Sequence, residues 1–94
     1  MKLHSTIQTG SMVMAISGRE KGEVFIVLNV HNNSAQIVNG KTRTLEKPKN
    51  KNIKHLKLLE INCKLDFKKL NNCDIIRTIK DYCSASKNKL EDDK

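Results

Sequence analysis

Tryptophan is absent from this sequence, and Phe25, Phe67 and Tyr82 are its only aromatic residues. A core must then be assembled from Val, Ile, Leu and Met, and the chain has no row of aromatic faces on which successive unpaired bases could stack. Proline occurs once, at Pro48, and the arginines are Arg19, Arg43 and Arg77 alone; the rest of the 18 cationic residues are lysines. Lysine meets phosphate as a point charge where arginine offers a planar fork, so the composition favours backbone attraction over base reading. Cys63, Cys73 and Cys83 are odd in number, form no C-x-x-C and have no histidine at ligand spacing. That pattern excludes a disulfide scaffold and a zinc site, and the three read as small buried apolar residues of a reducing compartment. No segment approaches the roughly 18 apolar residues of a membrane span, and Met1-Lys2-Leu3-His4 opens no signal peptide; a cytoplasmic protein without a membrane partner is expected.

Catalytic patterns are missing as well. His4, His31 and His55 are isolated, and there is no Gly-x-Ser-x-Gly, glycine-rich phosphate loop or carboxylate pair in an apolar setting. The expectation is a protein that is not an enzyme and that needs no cofactor or metal.

What the chain does have is positive charge. Its 94 residues carry a formal net charge of +8, with a pI near 9.6. A small domain this basic calls for a polyanionic partner, and nucleic acid is the default.

Apolar runs rich in β-branched residues, SMVMAIS from Ser11 and EVFIVLNV to Val30, flank GREKG and read as two strands. Gly22 in the turn between them suits a positive φ. After a polar loop, 31-HNNSA-35, Asn39-Gly40 signals a type I′ hairpin between strands at Ala35–Val38 and Lys41–Leu45. A fifth strand is expected in 55-HLKLLEI-61. Five short strands over residues 7–62 predict a mainly β domain, a small antiparallel barrel. Residues 63–94 then form a C-terminal extension. Ile75, Ile79 and Tyr82/Cys83 recur at helical spacing within 71–84, Asn71 or Asn72 suits the N-cap, and a frayed tail is expected beyond about Ala85. This amphipathic helix is expected to pack on the barrel, or to meet a protein partner.

Between Lys41 and Lys57, seven basic residues stand against Glu46 alone, a local net of +6 in under a fifth of the chain. Pro48 biases Lys47 toward extended backbone, so 46-EKPKNKNIKHL-56 reads as a stretched arm pinned by Ile53 and Leu56. Lys47, Lys49 and Lys51 would then recur about 6.5–7 Å apart along one side, close to the spacing of successive RNA phosphates. The competing explanation is an edge strand whose lysines prevent sheet-to-sheet aggregation. Arg19 and Lys21 protrude from the first turn as a second basic contact. Arg43 either forks onto phosphate or pairs with Glu23 or Glu46 across the sheet.

The block 12-MVMAISGREKGEVFIVLNV-30, with its Lys21-Gly22 turn between two hydrophobic strands, resembles the KOW motif. The continuation through Asn39-Gly40 into 48-PKNKNIKHL-56 extends the likeness to bacterial KOW-domain RNA-binding proteins, relatives of large-subunit ribosomal proteins. The resemblance covers about residues 7–60. It implies an SH3-like barrel that binds RNA, commonly ribosomal RNA on the large subunit, with Gly22 as the structural glycine of the motif. Glu20 stands where aspartate is common in the family, and Asn39 where aspartate often opens the hairpin. Residues and resemblance together give the RNA-binding candidates as Arg19, Lys21, Lys41, Arg43, Lys47, Lys49, Lys51, Asn52, Lys54 and His55. A protein-docking SH3-like module of the transcription or translation machinery is the competing function.

Overall fold

Short β-branched runs punctuated by turns do become strands in the computed structural model, which describes residues 7–92 of the chain, with side chains to Ser84. They are β1 (Met12–Ala15), β2 (Val24–His31), β3 (Ser34–Val38), β4 (Lys49–Asn52) and β5 (Leu56–Glu60), followed by one helix, α1 (Asn72–Asp92). All pairings are antiparallel, in the order β4-β3-β2-β1-β5. The protein is mainly β, with a single C-terminal helix.

The two outermost strands are consecutive in the chain, joined only by a three-residue 3-10 turn at Ile53–His55. A flat five-stranded sheet would hold its edges about 19 Å apart, whereas four residue steps of 3-10 backbone cover about 8 Å. The sheet must therefore curl, which is compatible with a barrel-like fold. Its seam is not closed, because β4 and β5 do not pair.

Curling divides the apolar residues between two faces. Val13, Ala15, Phe25, Val27, Ala35, Ile37 and Leu56 fill the inside, with Ile53 packed against them. Met12, Ile26 and Val38 look outward and are covered by Ile75 of α1, itself fully buried, with Ile79 and Tyr82 alongside. Burial on both faces explains why β2 reads as a continuous apolar run. A register shift between Val27 and Asn29 changes the phase of β2, so that Val30 packs on the inner core while Asn29 is exposed. Asn71 is the N-cap of α1, its Oδ1 accepting from Asp74 N at 2.8 Å. The backbone of α1 runs helical to Asp92, past the expected end near 85; the side chains beyond Ser84, and residues 93–94 of the expected frayed tail, lie outside the described residues.

Three expectations are corrected. The tight hairpin lies at Asn32-Asn33, between paired His31 and Ser34, with Asn32 at φ 54, and not at Asn39-Gly40. Residues 41–45 form no strand; β4 begins at Lys49 and pairs Lys49, Asn50, Lys51 and Asn52 with Ile37, Gln36, Ala35 and Ser34. Within the lysine run, residues 49–52 are therefore extended as an edge strand paired with β3, and Lys47 and Lys54 lie outside that strand. Finally, Cys73 and Cys83 are exposed, and only Cys63 is half-buried; with α1 docked through Ile75, Cys73 falls on its solvent side, and Cys83 lies at the exposed edge of a groove beside Ile79.

Candidate nucleic-acid interface

The β1–β2 turn folds back on itself through Gly22 N to Ala15 O (2.8 Å) and Glu23 N to Glu20 O (2.8 Å). Gly22 sits at φ 91 with open space around its Cβ position, so backbone conformation and not crowding calls for glycine there. Held in this shape, the turn exposes Arg19 and Lys21 and points Glu20 inward, its side chain only 12% exposed.

Three cations converge on that carboxylate. Arg43 donates to Glu20 Oε2 from Nη2 at 2.7 Å and from Nε at 3.2 Å. Lys51 and Lys49 place their Nζ atoms 3.7 and 3.9 Å from Oε1. The Arg43 hydrogen bonds, aided by the positive charge of Lys49, Arg43 and Lys51, hold the Glu20 carboxyl below its ordinary value despite burial. Arg43 thus pairs with Glu20, and not with Glu23 or Glu46. Lys51 also donates to Ser17 O at 3.0 Å and is only 10% exposed, which anchors the turn to β4. Arg43 and Lys49 remain about one-third exposed (36% and 34%).

Arg43 reaches Glu20 because residues 39–46 form a closed loop. Asn39 Oδ1 accepts from Lys41 N and Arg43 N, each at 2.9 Å, while Asn39 N and Gly40 N donate to Arg43 O. Asn72, in the first turn of α1, accepts from Leu45 N at 2.9 Å and donates to Glu46 Oε1 at 3.2 Å. That second bond is the main reason the Glu46 carboxyl lies below its ordinary value.

The remaining candidates divide by accessibility. Lys41, Lys47 and Lys54 are exposed. Asn52 caps the 3-10 turn, its Oδ1 accepting from Lys54 N at 3.0 Å. His55 is half-buried, and its carbonyl accepts from Ile16 N at 2.9 Å, which sets the β4–β5 corner beside the β1–β2 turn. The turn and the lysine run, two separate contacts in the sequence, are thus brought to one face through Glu20 and Ser17. Lys51 alone points away from solvent.

Sequence reasoning missed Glu20, Asn39 and Asn72 as organisers. A lone acid within a basic turn was the available signal for Glu20; the two asparagines gave none beyond their turn and capping preferences.

No protein-family model matches the chain, and no curated protein matches it. Among the described residues, no helix is long and apolar enough to cross a membrane.

Proposed function

We propose that this protein is a non-catalytic, cytoplasmic RNA-binding domain that grips the backbone of folded RNA. Large-subunit ribosomal RNA is the target that the KOW-like sequence implies. The observation that carries the reading is the convergence of Arg43, Lys49 and Lys51 on the single shielded carboxylate of Glu20, in the turn that exposes Arg19 and Lys21, with Lys47 exposed just ahead of β4. Such a face attracts phosphates and 2′-hydroxyl-rich surfaces and offers little to distinguish bases.

Fluorescence anisotropy with a structured RNA over a range of salt tests this. Neutralising about four to six phosphates gives a log–log slope of roughly −3 to −5. Binding that is absent, or indifferent to salt, would overturn the proposal. Sedimentation of native lysate, with and without ribonuclease, tests the ribosomal target: salt-sensitive migration with the large subunit supports it, and retention at the top of the gradient refutes it.

A second reading, docking of a protein against α1, is favoured by an open groove of about 530 Å³ between the β1–β2 turn and α1, lined by Val24, Ile76, Ile79 and Cys83. Its signature is a partner retained at high salt.

A further inference from the structure

Glu20 stands at the centre of a surface expected to meet phosphates, where charge alone argues against an acid. Its geometry gives it a different part. Arg43 commits Nε and one Nη2 proton to Glu20 Oε2, and its Nη1 meets no acceptor among the described residues. The outer edge of the guanidinium therefore remains available as a two-nitrogen fork for an oxyanion. Lys49, 3.9 Å from the other carboxylate oxygen, is held on the same side with a third of its side chain exposed. Lys51, nearly buried, adds a third positive charge 3.7 Å from Oε1 while it donates to Ser17 O. Three cations around one anion leave an excess of positive charge, and of the two exposed members Arg43 is fixed by two hydrogen bonds while Lys49 is drawn toward the same carboxylate.

Resting on the RNA-backbone reading above, we infer that Glu20 is a positioning residue for phosphate recognition. It holds Arg43 and Lys49 so that their outward sides form a ready-made clamp for one phosphodiester group of RNA. Without it, two flexible cationic side chains would have to be ordered anew when RNA binds.

Charge and positioning predict opposite results for Glu20→Gln. Removing a negative charge about 7 Å from a phosphate would tighten binding about threefold if charge alone mattered. Losing the positioning of two long side chains instead weakens binding about fivefold or more. The experiment titrates a fluorescein-labelled RNA stem–loop, and isolated large-subunit ribosomal RNA, with wild type, E20Q and R43K at one salt concentration, with folding checked by circular dichroism. Weaker binding by folded E20Q, despite its higher net charge, supports the inference; equal or tighter binding overturns it. If E20Q does not fold, R43K carries the test. It keeps the charge and loses the fork, so weaker binding supports the clamp and unchanged binding overturns it. Wild type that binds neither RNA overturns the RNA reading itself, and the clamp with it.

Discussion

Arg43 lies 23 residues from Glu20 in sequence and places its Nη2 2.7 Å from the Glu20 carboxylate, joining two loops that no strand pairing connects. Around this pair, Lys47 and the two lysines of β4 take different parts. Lys51 is an internal strut, Lys49 is shared, and Lys47 faces water.

That division is measurable as stability. Lys51→Ala removes a charged donor from Ser17 O and a counterion from Glu20, and a cost of about 1–2 kcal/mol is expected. Lys47→Ala, at an exposed site, should stay within about 0.5 kcal/mol of wild type. Urea denaturation of both variants checks the contrast, and equal stabilities would show that Lys51 holds nothing.

Acid should release the same network. The Glu20 carboxyl titrates below its ordinary 4.5 because Arg43 hydrogen-bonds its charged form. A group depressed on folding contributes stability that is full above its unfolded value and is lost as pH falls through the folded one. Wild type should therefore lose stability below about pH 4.5 more steeply than E20Q. Denaturation midpoints of the two proteins, taken from pH 7 downward, should converge; a constant gap would rule out the pairing as the source.

Gly40 is fixed by contact as well as conformation. It sits at φ 81, and a Cβ there would lie 2.6 Å from Asn72 O and 2.7 Å from Ile76 Cγ1. Gly40→Ala combines a left-handed conformation with a collision against α1, and should cost about 2 kcal/mol or more. Thermal melting measures the loss, and amide exchange at the first turn of α1 should quicken with it.

The three thiols should separate by rate. Cys73 and Cys83 are exposed, while burial, with a contribution from Glu60, pushes the Cys63 thiol above its ordinary value. A thiol reagent at mildly alkaline pH should modify two groups quickly and the third slowly. Three equal rates, followed by mass spectrometry, would contradict this placement.

Four of the strands and the helix were legible because each carries an apolar signature: the β-branched runs of β1, β2 and β3, the leucines of β5, and Ile75 and Ile79 on α1. β4 was not. Its sequence, KNKN, buries no apolar side chain, and only pairing with β3 makes it a strand. Asn39-Gly40 misled for a related reason. The pair does make a turn and Gly40 does take positive φ, but the side chain of Asn39 and the approach of α1 choose a closed loop over a hairpin. On the candidate face, the cations were visible one by one, whereas their convergence on Glu20 depends on partners 23 to 31 residues away.

The pairing of β1 with β5 fixes an order of events for the chain. The β2–β3 hairpin closes over two residues and can form within microseconds, but Ala15 must wait for Leu56, and Val13 for Leu58. Until those leucines arrive, the inner core lacks a wall. Closing so long a loop is entropically slow, so the seam, and not the hairpin, should limit the folding rate. Stopped-flow refolding of Leu58→Ala would then slow in proportion to its lost stability. A chain still being synthesised would keep its interior open until Leu56 and Leu58 had emerged.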